Sequence, residues 1–165
     1  MCRTNTDQMD DIWNEILGEI SEIERKKEHL IFIGDMNRHL GKVISGSSER
    51  LSNGGKQLIN LLESGKYTLV NSSEVTIGGP YTRYDPSDPE NEGKKSILDL
   101  CIVSNDLLPH VESLTIDKEK RFTPYRVVGH GKVVYTDHYS LKLHLQHLSR
   151  KRSAGFVPQK PLRWN

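Results

Sequence analysis

The sequence predicts one domain of mixed α/β or α+β class, with apolar strands separated by helices and long loops. Apolar residues recur at steps of three and four near the N-terminus, as in an amphipathic helix. Short apolar runs follow, separated by loops rich in glycine, serine or proline. The 165 residues, of which 27% are charged and 35% hydrophobic, are sufficient for one hydrophobic core of globular type.

The first element is a helix predicted from about Asp7 to Glu28. Acidic residues in its first turn and basic residues near its last turn agree with the helix dipole. The residues that form its apolar face are Met9, Ile12, Trp13, Ile16, Leu17, Ile20 and Ile23. Residues 30–33 then predict a buried strand that ends in "GDMN".

The remaining elements follow in order along the chain. The stretch "SGSSERLSNGG" predicts a loop, and "KQLINLLESG" predicts a short helix closed by Gly65. "KYTLVN" and "SILDLCIVS" predict strands, with the surface loop "YTRYDPSDPENEGKK" between them. In "VVYTDHYSLKLHLQ" the alternation at the end places three leucines opposite Lys142 and His144. Those leucines are Leu141, Leu143 and Leu145. We expect residues 7–148 to form the domain and residues 149–165 a basic tail or linker.

Composition and charge restrict the location and the partners. Two cysteines, Cys2 and Cys101, argue against a disulfide-stapled secreted domain, and no apolar run reaches the length of a bilayer span. The N-terminal residues lack the apolar core of a secretory signal, so an intracellular location without a membrane partner is predicted. Residues 1–137 carry 17 basic and 22 acidic side chains, whereas six basic and no acidic residues follow. This asymmetry predicts either a polyanion partner or a solvated tail.

Three breaks in the apolar pattern place polar side chains at or within the predicted strands. Asp35 and Asn37 would project to the same side of an extended backbone. Asp99 lies inside an apolar run, where an unpaired buried carboxylate costs on the order of 3 kcal/mol and requires a cation, donors or a metal. Asp137 and His138 separate two strands. The structural alternatives are a turn at 35–37, a water-facing aspartate at a strand edge, and a polar turn at 137–138.

Together these residues offer three carboxylates, an amide and an imidazole at the ends of different strands. Phosphodiester hydrolysis uses such groups: a divalent cation neutralises charge, a base orients water, and a donor stabilises the oxyanion. The sequence supports other site types less well. It contains no complete P-loop, no zinc-ligand spacing and no Gly-x-Ser-x-Gly elbow.

The order of "IFIGDMNRHLG", "SILDLCIVS" and "YTDHYSLKL" resembles the C-terminal half of the endonuclease/exonuclease/phosphatase superfamily, over residues 7 to about 147. The text of "GDMNRHLG", "NGGKQLINLLESGKYTLVN" and "YTRYD" looks like the endonuclease domains of non-LTR (LINE-type) retrotransposons. The resemblance implies part of a four-layer α/β/β/α sandwich whose N-terminal half is absent here. Thr136 replaces the serine that is more usual in the last motif.

The resemblance also implies roles for individual residues. Asp35 would orient or deprotonate the attacking water, and Asn37 would help to hold that water or the phosphate. His138 would contact the scissile phosphate, and Asp99 would orient its imidazole. Asp137 would help to bind Mg²⁺ or Mn²⁺. The two candidates for support or substrate contact are Ser96 and Thr82.

Three functional hypotheses result. The first is a Mg²⁺-dependent DNA endonuclease of a retrotransposon-like element, truncated here so that the family's N-terminal asparagine and metal-binding glutamate are missing. The second is an inactive remnant that at most binds nucleic acid through residues 142–163. The third is a phosphoesterase acting on a small phosphoester. The first implies DNA as a partner, a nuclear location, and a missing N-terminal half or a downstream reverse transcriptase in the full-length element.

Overall fold

The computed structural model of the protein describes residues 5–41 and 51–146. Within these residues it contains two α-helices and eight β-strands. The helices are α1 (Asn5–Lys26) and α2 (Asn53–Glu63). The strands are β1 (Ile31–Asp35), β2 (Tyr67–Leu69), β3 (Thr76–Ile77), β4 (Asp99–Ser104), β5 (Val111–Ile116), β6 (Tyr125–Val128), β7 (Lys132–Tyr135) and β8 (Leu141–Leu145). This combination confirms the predicted α+β class.

The strands form two three-stranded sheets and a two-stranded ribbon. The first sheet has the order β1–β4–β2 and is antiparallel throughout. The second has the order β3–β5–β8, with β3 parallel and β8 antiparallel to β5. Strands β6 and β7 pair with each other to form the ribbon. In the first sheet the last residue of β1, Asp35, lies opposite the first residue of β4, Asp99.

Strand β4 is the centre of the core, because both of its faces are buried. Leu100 and Ile102 belong to the cluster that packs against the helices, together with Trp13 and Leu58. The alternate residues Cys101 and Val103 belong to a second cluster, which includes residues of the second sheet. The described residues therefore form a layer of helices, a first sheet and a second sheet. A strand that is buried on both faces has a nearly continuous apolar sequence, and for this reason the run "LCIVS" predicts a strand.

The predicted elements agree with the structure in several places. Helix α1 starts at Asn5 and α2 at Asn53, two and three residues before the predicted starts. Gly65 follows α2 with a φ of +71°, a conformation that favours glycine at the end of a helix. The leucines of β8 pack on the second cluster, while Lys142 and His144 are exposed. Strands β3, β5 and β6 were not predicted.

The prediction that residues 30–33 form a buried strand was wrong for one face of β1. Ile31 is 42% exposed and Ile33 40% exposed, whereas Leu30 is buried and Phe32 is half-buried. Ile31 and Ile33 share a face with Val103 and Cys101, which the second sheet covers, but no residue of the edge strand β1 belongs to that cluster among the described residues, so this face of β1 is left open. The apolar run alone cannot distinguish such an edge strand from a central one.

Some predictions fall outside the described residues. Most of the predicted Gly/Ser loop belongs to residues 42–50, and the predicted tail belongs to residues 147–165. Within the described ranges, no helix is long and apolar enough to cross a membrane.

Candidate active site

The structure brings Asp35, Asp99 and His138 together at one end of the first sheet. One side-chain oxygen or nitrogen from each residue lies within 4.8 Å of those of the other two. The antiparallel register explains the two carboxylates, because residues directly opposite in such a pair project from the same face. Asp35 is exposed, whereas Asp99 is 8% exposed. The site therefore has a buried carboxylate beneath an accessible one.

His138 reaches the group from the segment between β7 and β8. Its Nδ1 lies 2.8 Å from Oδ2 of Asp99, and the side chain is partly exposed. An ionised Asp99 accepts a hydrogen bond from Nδ1–H, which selects the His138 tautomer that is protonated at Nδ1 and leaves Nε2 for another partner. The family resemblance implied that Asp99 orients this imidazole; the two side chains are in contact, and the role stays a prediction.

The electrostatic environment of Asp99 opposes its ionisation. Burial is the largest cause that raises the pKa of Asp99, and the neighbouring charge of Asp35 raises it further. The hydrogen bond with His138, and a weaker one from the Thr82 hydroxyl, act in the opposite direction. The net effect is that the pKa of Asp99 lies above its ordinary value. A cation beside the two carboxylates would offset both unfavourable effects.

Thr82 supports Asp99 from below. Its hydroxyl oxygen accepts hydrogen bonds from the backbone N–H groups of Leu98 and Asp99, each at 3.0 Å. Its carbonyl oxygen accepts one at 2.7 Å from the N–H of Tyr139, the residue after His138. Thr82 is 0% exposed, so its side chain has no surface to offer a substrate. This buried position fits a role in supporting the backbone of β4 and does not fit contact with a substrate; the role of Thr82 stays a prediction.

Asn71 holds the other side of the β4 backbone. Its Nδ2 donates to the carbonyl of Asp99 at 3.1 Å, and its Oδ1 accepts from the N–H of Cys101 at 2.7 Å. These bonds replace ladder hydrogen bonds just where β2 gives way to a 3₁₀ turn. Asn71 was not predicted as a site residue, because an asparagine at the end of a strand is typical of a turn.

The backbone after β1 forms a turn, whereas an extended backbone was predicted for residues 35–37. Asn37 has a φ of +46°, in the left-handed region that asparagine tolerates better than most residues. Its backbone N–H donates to Oδ1 of Asp35 at 2.8 Å. The prediction that Asp35 and Asn37 share one side of an extended strand was therefore wrong, because β1 ends at Asp35 and Asn37 lies in the turn that follows. The Asn37 side chain is exposed beside the site, and its role remains a prediction.

Asp137 takes a different position from the three grouped residues. Its Oδ2 accepts from Nε of Arg83 at 2.9 Å, in a partly buried ion pair. The backbone of Arg83 pairs with Ser96 and forms a bridge to His138, so this arginine braces the segment that carries the histidine. The hydroxyl of Ser96 is buried and has no hydrogen-bond partner among the described residues. The predicted metal role of Asp137 and the substrate role of Ser96 remain predictions.

The donor set suits a hard divalent cation. Mg²⁺ commonly takes one or two carboxylates and completes its shell with waters and substrate phosphate oxygens. Asp35 and Asp99 offer oxygens next to each other across two strands, and one of them is exposed. The residues present therefore fit Mg²⁺ or Mn²⁺, with His138 near enough to contact a phosphate bound there.

Comparisons with known proteins agree with this geometry. A family model described as "Endonuclease-reverse transcriptase" matches residues 2–122, a range that includes Asp35 and Asp99 but ends before His138. The solved structure of a 3′ phosphatase, NExo from Neisseria, bound to product DNA hairpin is similar in fold. The TM-score is 0.58 and the sequence identity 16%, over 87% of this chain and 56% of that one. The chain thus spans little more than half the length of NExo. No curated protein matches the sequence.

Proposed function

The chain belongs to the endonuclease–reverse transcriptase family within the endonuclease/exonuclease/phosphatase superfamily, and from this premise we propose that it acts in DNA hydrolysis. The proposed reaction is Mg²⁺-dependent cleavage of a phosphodiester bond by the endonuclease of a retrotransposon-like element. The observation that carries the proposal is the group formed by Asp35, Asp99 and His138.

In the proposed reaction, His138 contacts the scissile phosphate. Because Asp99 accepts a hydrogen bond from Nδ1–H, the imidazole is oriented with Nε2 toward the substrate side. In its protonated form the ring donates from Nε2 to a phosphate oxygen, and the Asp99 carboxylate stabilises the imidazolium charge. Charge that develops on the phosphate in the transition state strengthens this hydrogen bond.

Asp35 orients the attacking water in this proposal. Its Oδ1 accepts a hydrogen bond from the Asn37 N–H, and its Oδ2 accepts the proton of the water. The water oxygen bonds to phosphorus as the P–O bond to the leaving oxygen breaks, and the leaving oxygen takes a proton from solvent. The exposed position of Asp35 at the strand end gives solvent direct access. A Mg²⁺ or Mn²⁺ ion held by the carboxylate oxygens of Asp35 and Asp99 would neutralise charge on the phosphate.

DNA is the proposed substrate for two reasons. The matching family is described as an endonuclease with a reverse transcriptase, and the similar solved structure contains a DNA product. A DNA substrate implies a nuclear location, and a reverse transcriptase would act with the endonuclease in a complete element. Because NExo is described as a 3′ phosphatase, removal of a terminal phosphate from DNA is the second candidate reaction.

The test is nicking of supercoiled plasmid in Mg²⁺ and in EDTA. We expect nicking in Mg²⁺ and none in EDTA. The nicking rate should fall by about 100-fold or more in Asp35→Ala and in His138→Ala. Asp106→Asn is the matched control, since this aspartate is exposed and pairs with His29 away from the site. Release of phosphate from a 3′-phosphorylated oligonucleotide distinguishes the second candidate. A folded wild-type chain with neither activity, or an active Asp35→Ala variant, would contradict the proposal.

A further inference from the structure

The β6–β7 ribbon exposes an apolar face. Tyr125 and Val127 are each 63% exposed, and Val133 is 46% exposed. Their cross-strand partners place Tyr125, Val127, Val133 and Tyr135 on the same face of the ribbon. Within the described residues the ribbon pairs with neither of the sheets. An exposed apolar face of this kind is typical of an interaction surface.

The same segment carries more basic than acidic side chains. Residues 119–137 contain four basic residues, Lys120, Arg121, Arg126 and Lys132, and two acidic ones at the two ends, of which Glu119 pairs with Arg121. Arg126 and Lys132 are exposed on the opposite face of the ribbon from the apolar residues, without an acidic partner in the part of the chain that the structure describes. A polyanion that also offers apolar surface complements both faces. DNA provides this combination, because sugars and base edges lie between its phosphates.

The base of the ribbon forms part of the candidate active site. Pro124 and Thr136 flank the ribbon, and the N–H of Thr136 donates to the Pro124 carbonyl at 3.4 Å. Both residues line the cleft that also contains Asp99 and His138. The last residue of the ribbon, Tyr135, is therefore three positions before the histidine that is proposed to contact the scissile phosphate.

A set of aromatic contacts ties the ribbon to the histidine segment. The Nζ of Lys120 lies 4.4 Å from the ring centroid of Tyr84 and 5.0 Å from that of Tyr135, at the end of β7. Tyr84 stacks on Tyr139, the residue after His138, with ring centroids 4.8 Å apart. These contacts fix the direction of the ribbon relative to the site.

We propose that the β6–β7 ribbon is a second DNA contact, which holds the duplex beside the scissile phosphate. This inference rests on the proposed function, because it assigns a further surface to the same substrate. Strand rise carries the ribbon about 10 Å from its base to its tip, which matches about three base-pair steps of duplex. With its tip inserted into a groove, the ribbon turns Arg126, near the base, and Lys132, at the tip, toward the phosphates of one groove wall, while Val127 and Val133 face the opposite wall.

The test measures DNA affinity without turnover. Binding of a short fluorescently labelled duplex of mixed sequence is followed by anisotropy in EDTA across a series of salt concentrations. We expect Arg126→Gln/Lys132→Gln to bind about 10-fold more weakly and to reduce the slope of log affinity against log salt by about 2. Lys26→Gln/Lys56→Gln removes the same charge from the helices and should change neither quantity.

A second variant tests the apolar face. Val127→Ser/Val133→Ser should weaken binding with an unchanged salt slope, since no charge is removed. Circular dichroism verifies that each variant is folded, and light scattering reports its mass. The inference is overturned if the Arg126/Lys132 variant binds like its matched control. It is also overturned if the valine variant changes only the mass, since the face would then join protein copies.

The two proposals fail in different ways. If the protein nicks plasmid but the ribbon variants bind duplex DNA with the affinity of the wild type, only the ribbon contact is refuted. A chain that binds duplex through the ribbon but never hydrolyses DNA supports the contact and refutes the proposed reaction.

Discussion

Replacing Asp117 by asparagine tests how a buried carboxylate supports the histidine segment. Asp117 follows β5, is 3% exposed, and accepts hydrogen bonds from the N–H groups of Arg121, Phe122 and Thr123 at 2.6–2.8 Å. The Thr123 hydroxyl also donates to it at 2.8 Å and accepts from the N–H of Ser140 at 3.3 Å. The loop after β5 is thereby connected to a residue two positions beyond His138.

The magnitude follows from the number of donors. Hydrogen bonds to charged groups contribute about 1.5–3 kcal/mol each, and an asparagine keeps one acceptor oxygen while turning an amide toward the remaining donors. We expect Asp117→Asn to lower the free energy of unfolding at neutral pH by about 4 kcal/mol. Asp106→Asn, an exposed control, should change it by less than about 0.5 kcal/mol.

The pH dependence provides a second measurement. Burial opposes ionisation of Asp117, but its backbone and hydroxyl donors outweigh burial, so the pKa of Asp117 lies below the ordinary 3.8. A lowered pKa in the folded state means that the stabilisation is present above 3.8 and is lost as the pH falls through the lower folded-state value. Urea denaturation of both proteins should therefore show a difference that narrows in acid. A difference that is small at neutral pH, or equal at both pH values, would refute the reasoning.

Three further predictions concern the β4 strand. Asp99→Asn should lower plasmid nicking by about 100-fold or more. It should not lower thermal stability at neutral pH, because burial disfavours the ionised form of Asp99 and raises its pKa. A large loss of thermal stability would contradict this reasoning. Asn71→Ala should lower the free energy of unfolding by about 3 kcal/mol, because two buried backbone groups lose their partners; Thr68→Val, at an exposed hydrogen bond, is the control. In a Cys2→Ser background, Cys101 should react with a thiol reagent only after unfolding, since burial raises its pKa to about 12; rapid labelling of the native protein would contradict its burial.

Periodic patterns gave the helices and the central strand, because burial of one face or of two faces leaves a period in the sequence. The face of α1 that carries Trp13 and Ile20 is an example, and both residues are buried. Strand β6 left no such signal, because Tyr125 and Val127 point into solvent and Arg126 stands between them. Strand β7 of the same ribbon was predicted because its run "KVVY" is apolar, although Val133 is exposed.

The candidate site could be predicted in part for a similar reason. Asp99 was conspicuous because a carboxylate inside an apolar run requires a partner, and His138 is that partner. Asn71 and Thr82 were harder to assign, since their roles depend on contacts with β4 residues that are 17 to 30 positions away in the sequence. Arg83 was missed because a cation in a surface loop is ordinary composition. Its pairing with Asp137 depends on how that loop folds back.

The antiparallel register of β1 and β4 restricts how a chain of this kind can change during evolution. Side chains alternate along a strand, so a shift of one residue would turn Asp99 toward the helices and away from Asp35. A point substitution at the site changes one side chain, whereas a single-residue insertion within either strand separates the two carboxylates. Loop 85–95 lies between β3 and β4, and it takes no part in the pairing of β1 with β4. Length differences between relatives should therefore accumulate in that loop and be absent from residues 31–35 and 99–104.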